Sequence, residues 1–253
     1  MRLPKLLYGV YETRLTRSLH SATLPRHIGV ILDGNRRWAK SFGESAATGH
    51  RRGADKITEF LGWSEELGIE VVTLWMLSTD NLKREASELS ALLEIIEDAV
   101  QDLAATGRWR IRIVGNLELL PATTATRLQQ AANRTATLQG LSVNIAVGYG
   151  GRDEITQAVR ALLSNAADAG ADLRELSQTI RAEDITKHLY THGQPDPELI
   201  IRTSGEQRLS GFLLWQSAHS EYYFCEAYWP DFRRVDFLRA LRSFAARERR
   251  LGK

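Results

Sequence analysis

The sequence predicts an α/β fold: a central, mostly parallel β-sheet covered by helices. Two observations carry this reading. The short apolar runs are continuous rather than alternating, and helix-length segments lie between them. A strand that is apolar at every position is buried on both faces, and parallel strands need crossovers long enough for a helix. At 253 residues, the chain can build one large core without splitting.

Residues 1–24 differ in character from the rest and are read as an N-terminal amphipathic segment, with 25–253 as a single domain. Leu3, Leu6, Leu7, Val10, Tyr11 and Leu15 form a rough apolar stripe, interleaved with Arg2, Lys5, Arg14 and Arg17. A helix of this kind can pack on its own domain, meet a partner subunit, or make peripheral contact with a membrane. From Arg26 the strand runs are Ile28–Leu32, Val71–Leu77, Trp109–Val114, Ser142–Val147, Leu199–Arg202 and Phe212–Trp215, with Tyr222–Phe224 a further candidate. Helices are expected at 49–67, 86–105, 122–138 and 151–164, with a weaker helical region at 172–190 and a last helix at 234–249. In the second of these, Leu89, Leu92, Leu93, Ile96, Val100 and Leu103 recur at helical spacing. That face suits core packing and equally a wall for an elongated apolar ligand, each buried CH₂ contributing about 0.8 kcal/mol.

The formal charge of +2 is too small to imply nucleic acid, and the basic residues gather in patches that suit a local anion. Cys225 is the only cysteine, which excludes an intrachain disulfide and a thiolate-rich metal site. No apolar run approaches the roughly 18 residues of a membrane span, and no signal-peptide segment opens the chain, so a cytoplasmic location is expected.

Two regions read as anion sites. Asp33-Gly34-Asn35-Arg36-Arg37-Trp38 follows the Ile28–Leu32 run. A carboxylate at a strand end, then Gly, an amide and two guanidiniums, suits a diphosphate carrying a divalent cation. Ile201-Arg202-Thr203-Ser204-Gly205-Glu206-Gln207-Arg208-Leu209-Ser210 supplies two charged forks and a hydroxyl, enough to receive a diphosphate without metal. Intramolecular pairing of those arginines with Glu206 or Glu221 is the alternative. Asp33 and Glu221 are the candidate Mg²⁺ ligands. His50, between Gly49 and Arg51, is placed to steady another phosphate oxygen. Ser78-Thr79-Asp80-Asn81-Leu82 follows a strand run, where loops of parallel sheets surround ligands. There, Ser78 and Asn81 can orient polar groups and Leu82 can shape an apolar passage. Gly148-Tyr149-Gly150-Gly151-Arg152 reads as a helix-entry turn near phosphate; it lacks the lysine-hydroxyl ending of a P-loop and the dinucleotide spacing.

Taken together, these residues resemble the cis-prenyltransferase, or undecaprenyl diphosphate synthase, family. The resemblance runs from Leu24-Pro25-Arg26-His27 to Glu248-Arg249-Arg250. It is strongest at Asp33–Ala39, Gly148–Arg152, Phe212–Gln216, Ser220-Glu221 and Trp229-Pro230-Asp231-Phe232. It implies a homodimer whose central parallel sheet flanks a hydrophobic tunnel, with Mg²⁺ as cofactor. It further implies that an allylic diphosphate is condensed with isopentenyl diphosphate, forming a cis double bond. By the resemblance, Asp33 is the essential Mg²⁺-associated carboxylate, and Gly34, Asn35, Arg36, Arg37 and Trp38 belong to the allylic diphosphate region. Asn35 lies near the reacting groups with Ser78 and Asn81, and His50 faces phosphate. Arg202, Arg208 and Ser210 match the isopentenyl diphosphate site, and Glu221 matches a metal ligand presented across the dimer.

Product length is a finer inference. Long-chain bacterial members commonly carry an aromatic residue where this chain has Leu82 and an arginine where it has Ala46. The pattern is similar to actinobacterial short-chain members making Z,E-farnesyl diphosphate from geranyl diphosphate. Arg36, Arg37, Arg51 and Arg52 are then the candidates to replace the missing arginine. The alternatives are a long-chain polyprenyl diphosphate synthase and a non-catalytic prenyl-diphosphate-binding subunit.

Overall fold

The computed structural model describes residues 5–19 and 22–247. Its centre is a sheet of six strands, all pairings parallel, in the order β3-β4-β2-β1-β5-β6. In chain order the elements are α1 (Lys5–Leu19), β1 (His27–Ile31), α2 (Asn35–Ser41), α3 (Ala46–Glu66), β2 (Val71–Ser78), α4 (Ala86–Ala105), β3 (Arg110–Val114) and α5 (Ala122–Thr135). There follow β4 (Ser142–Tyr149), α6 (Gly151–Asp168), α7 (Leu173–Thr179), α8 (Ala182–Thr186), β5 (Leu199–Arg202), β6 (Glu221–Phe224) and α9 (Arg234–Ala245). β1 and β4 are buried at every position, as continuous apolar runs require.

Alternate residues serve the two faces of the sheet. Ile28, Val30, Val72, Leu74, Ile145 and Ile201 join the main core, which includes residues of α3, α4 and α9. Ile31, Ile200 and Ala146 belong to a smaller core on the other face, closed by Phe212 and Leu213. Strand β1 hydrogen-bonds β2 on one side and β5 on the other. The chain leaves β1 toward β2 and leaves β5 toward β6, in opposite directions. Such a reversal opens a crevice beyond the carboxyl ends of the two strands, the usual ligand position in a parallel sheet.

The Phe212–Trp215 run is not a strand. It forms consecutive turns in which Ser210 (φ 52°), Gly211 (φ 85°) and Leu213 (φ 45°) are left-handed. Its residues are apolar because Phe212 stacks on Trp75 at 5.1 Å and seals the smaller core, not because they pair in the sheet. The weak helical region at 172–190 is two short helices, α7 and α8, and the turn after Asp33 is itself the helix α2.

Helix α1 packs on α9, burying Leu15 and Leu19 in the main core and setting Arg239 over the Tyr11 ring at 5.3 Å. Arg14 and Arg17 are exposed. Leu3 and Arg2 of the expected stripe lie outside the described residues, as do the side chains of Lys5, Leu6, Leu7 and Val10. No helix among the described residues is long and apolar enough to cross a membrane.

Candidate functional site

The crevice is centred on Asp33, two residues past the end of β1. Its backbone N–H donates to Thr203 Oγ1 at 2.9 Å, and the Thr203 hydroxyl contacts the Asp33 carbonyl at 2.7 Å. The Trp229 N–H donates to that same carbonyl at 3.0 Å. The next residue turns the chain into α2: Gly34 has φ 104°, and a Cβ there would lie 2.6 Å from the Tyr228 ring, so only glycine fits. Asn35 then packs against Gly53 of α3, where a Cβ would stand 2.4 Å from Asn35 Oδ1. Asn35 Nδ2 donates to the Leu32 carbonyl at 3.1 Å, while its Oδ1 is buried without a protein partner.

Both Asp33 oxygens hold guanidiniums. Arg202 Nη2 donates to Oδ2 at 2.8 Å and Arg37 Nη2 to Oδ1 at 3.1 Å. Burial alone would raise the Asp33 carboxyl, but Arg202 and Arg37 outweigh it and hold it below the usual carboxylate range. Arg202, at the end of β5, is itself buried; its Nη1 donates to Ser210 Oγ at 3.1 Å and to the Arg208 carbonyl. Arg37 also donates to Ser204 Oγ at 2.6 Å and to Glu206 at 3.2 Å, and Glu206 pairs with Arg208 at 2.7 Å.

A second basic group stands across the cleft. Glu88 of α4 accepts from Arg84 at 3.0 Å and from Arg36 at 3.4 Å. His50 Nε2 is buried without a protein partner. Burial, with the Arg84 and Arg36 charges, pushes the His50 imidazole down to about 4, so it is neutral at physiological pH. Asp33, Arg36, Arg37, His50, Arg84 and Arg202 line a cleft of about 720 Å³ whose remaining lining includes an apolar set. Ile57 of α3, Trp75, Met76 and Leu77 of β2, and Leu92, Ile95 and Ile96 of α4 form that set.

Of the residues named from sequence, Asp33, Gly34, Asn35, Arg36, Arg37, His50, Ser78, Asn81, Arg202, Arg208 and Ser210 all line this cleft. Three do not. Trp38 turns along α2 onto Phe42, with ring centroids 4.9 Å apart. Leu82 packs against the main core from the helical turn Asp80–Lys83, outside the lining. Glu221 opens β6 level with Leu199, at the far end of the strands from Arg202, and pairs with Arg247. Arg51 and Arg52 are exposed and outside the lining, whereas Arg84 and Lys40 belong to it. Arg84 follows a single helical turn with no motif around it, so only its proximity to the Asn81 loop could have drawn notice. The Gly150-Gly151 turn does not line the cleft either; the Gly151 N–H donates to the Gly211 carbonyl at 3.1 Å. Beneath it the buried Glu154 carboxylate accepts from Tyr149 Oη, Gln216 Nε2 and the Tyr190 N–H, bracing the turns that carry Ser210. Periodicity gave no hint of that acid.

Residues 31–252 match the family described as putative undecaprenyl diphosphate synthase. The chain belongs to the cis-prenyltransferase family. It is 59% identical over 253 residues to a (2Z,6E)-farnesyl diphosphate synthase of Thermobifida fusca, covering 100% of this chain and 98% of that one. It is 56% identical to isoprenyl transferase 1 of Streptomyces avermitilis over 250 residues, 99% and 97% of the two chains. Among solved structures, lavandulyl diphosphate synthase of Lavandula x intermedia, in complex with dimethylallyl diphosphate, superposes with a TM-score of 0.82 at 33% identity. That match covers 89% of this chain and 97% of the other. The family placement accords with the parallel sheet and with a cleft lined by both basic and apolar side chains.

Family membership implies a divalent metal. No group of three or more His, Cys, Asp or Glu stands ready to hold one among the described residues. Mg²⁺, however, is commonly held by one or two carboxylates together with substrate phosphates. Asp33 fits that arrangement: it is half-buried at the cleft mouth, and its neighbours keep it ionised.

Proposed function

We propose that this cis-prenyltransferase joins a short allylic diphosphate, geranyl diphosphate first among them, to isopentenyl diphosphate, giving (2Z,6E)-farnesyl diphosphate. The observation that carries the proposal is the cleft: two clusters of basic groups meet at Asp33 and Asn35, and apolar side chains of β2, α3 and α4 line the same cleft. In the reaction the allylic C1–O bond breaks and its electron pair leaves with diphosphate. The isopentenyl double bond supplies the pair for the new carbon–carbon bond, and a proton is lost from the adjacent carbon.

Each group has a task. His50, Arg36, Arg37 and Arg84 hold the allylic diphosphate, with hydrogen bonds to charge that grows as the bond breaks. Arg202, Arg208 and Ser210 hold isopentenyl diphosphate, so that its double bond faces the allylic carbon and the orientational cost falls. Asn35 lines the cleft beside Asp33 with its Oδ1 left without a protein partner, and Asn35 with Asp33 organises the proton loss. Ser78 and Asn81 line the wall beside it; the Asn81 N–H donates to Ser78 Oγ at 3.1 Å, which keeps the loop closed. Mg²⁺ held by Asp33 and diphosphate oxygens would neutralise charge on the leaving group.

Glu221 is read as a metal ligand supplied to another subunit's cleft in a homodimer. Its distance along the strand from Arg202 within one chain supports a role in trans rather than in cis. Short product length is supported by the large aliphatic side chains of Ile57, Leu77, Leu92, Ile95 and Ile96 that line the pocket and by the named relatives.

Incubation with isopentenyl diphosphate, Mg²⁺ and either geranyl or farnesyl diphosphate tests the proposal. A fifteen-carbon product with one new cis bond, made from geranyl diphosphate, is expected. Long polyprenyl products would favour the long-chain reading, and diphosphate binding without turnover a non-catalytic subunit.

A further inference from the structure

Glu206 takes up two of the guanidiniums that an incoming diphosphate needs. Its Oε1 accepts from Arg37 Nη1 at 3.2 Å, and its Oε2 pairs with Arg208 Nη1 at 2.7 Å. The loop is shaped to hold it there. Ser204 (φ 77°) and Gly205 (φ 74°) are successive left-handed residues, a conformation that a serine resists. Ser204 keeps it while its Oγ accepts from Arg37 at 2.6 Å. The reversal returns the chain so that Glu206 faces the cleft beside Asp33, Arg202 and Ser210.

The charges in this corner decide what Glu206 can do. Within the ion-pair network, Arg37, Arg202 and Arg208 face Asp33 and Glu206, so Glu206 and Asp33 together occupy all three guanidiniums. A phosphate oxygen cannot share the same guanidinium N–H with Glu206 at full strength. The carboxylate also repels the anion that approaches it. Asp33 has a separate reason to be present, since it pairs with buried Arg202 and suits the metal. Glu206 has neither: its partners are the exposed Arg37 and Arg208, which stay solvated without it.

From this geometry we infer that Glu206 is a built-in competitor for diphosphate where the two sites meet, contesting Arg208 of the isopentenyl site and Arg37 of the allylic site. It keeps Arg37 and Arg208 paired and sets the affinity of this pocket below what its arginines alone would give. This rests on the reading above only in naming isopentenyl diphosphate at Arg208, and the allylic diphosphate at Arg37, as the ligands that compete.

The test is calorimetric binding of inorganic pyrophosphate to the full chain with divalent metal chelated, comparing the parent with Glu206→Gln. The amide keeps the shape and removes the charge. Two partly exposed ion pairs correspond to about a five- to tenfold gain in affinity when released. In an Arg208→Ala background the same change should gain less, because one of the two contested guanidiniums is gone. In turnover, the KM for isopentenyl diphosphate should fall and pyrophosphate inhibition should strengthen. A residue that merely supported the loop would do the reverse.

Unchanged or weaker pyrophosphate binding by folded Glu206→Gln overturns the inference. So does an equal gain with and without Arg208. Should Glu206→Gln fail to fold, Glu206→Ala is read by the same two criteria. The binding comparison needs no turnover, so a parent chain inactive in condensation would sink the functional reading and leave this result standing.

Discussion

Arg202 and Asp33 meet at 2.8 Å across the carboxyl ends of adjacent parallel strands. The β1–β5 register pairs Ile31 with Arg202, so the residue two past Ile31 falls beside the Arg202 guanidinium. The Arg202 side chain is 7% exposed and that of Asp33 27%. A guanidinium so enclosed needs a counter-charge, and Asp33 supplies it while keeping one side open to the cleft. The other arm of Arg202 reaches Ser210. One arginine thus links the carboxylate of the first anion site to the hydroxyl of the second.

Asp33→Ala is therefore expected to do two things. Turnover should fall by at least about a hundredfold, as the group beside the departing diphosphate is lost. Stability should fall by about 1–3 kcal/mol, because buried Arg202 loses its partner. Single-turnover kinetics and denaturant melts separate the two effects. Retained turnover would remove Asp33 from the reaction.

Arg208→Ala should act differently. Its side chain is 66% exposed and holds nothing in the core, so the melt should stay within about 0.5 kcal/mol of the parent. The KM for isopentenyl diphosphate should rise about ten- to hundredfold, the range for a lost charge-assisted contact. A KM that does not move would place isopentenyl diphosphate elsewhere.

Acid should destabilise the fold through His27 before the carboxylates respond. The ring is enclosed at the head of β1: Nδ1 donates to the Pro195 carbonyl at 2.7 Å, which leaves Nε2 to accept from Thr73 at 2.8 Å. Thr73 Oγ1 in turn accepts from Asn144 at 2.9 Å. A second ring proton would confront the Thr73 hydroxyl, and burial pushes the imidazole down to about 4 from 6.5. A group with a depressed folded pKa and a higher unfolded one binds its proton first in the unfolded chain. Stability is therefore complete above pH 6.5 and is lost as pH falls toward 4, by about 3 kcal/mol from this residue. His50 adds in the same direction. Urea midpoints at pH 7, 5.5 and 4.5 check this, and a flat midpoint across the window would refute it.

The strands that form the sheet were legible because burial on both faces leaves a continuous apolar run. Phe212–Trp215 shows the limit of that rule: a plug pressed onto one face is as apolar as a strand. Asp33, Arg37, Arg202 and Arg208 could be singled out because Gly, Asn and Arg crowd a strand end for few other reasons. Trp38 shared that segment, yet the helical turn of α2 carries it away from the cleft onto Phe42. Arg84 and Glu154 escaped notice because their roles arise from tertiary packing: Glu88 of α4 draws Arg84 together with Arg36 of α2, and Tyr149 of β4 converges on Glu154 with two separate turns.

The apolar face of α4 could be read as core or as ligand wall, and the structure divides it. Leu92, Ile95 and Ile96 line the cleft, whereas Leu103, equally buried, belongs only to the core. Ile96→Ala and Leu103→Ala should then separate. Each removes methylene volume at a site at most 2% exposed, and each should cost about 2–4 kcal/mol. At Leu103 the space opens inside packed side chains, and the product should not change. At Ile96 it adjoins the cleft, where further prenyl carbons can fill it, each buried CH₂ contributing about 0.8 kcal/mol. Ile96→Ala should therefore yield a share of products longer than fifteen carbons from geranyl diphosphate and excess isopentenyl diphosphate, read by chromatography. Identical product distributions from the two variants would show that α4 does not limit the chain.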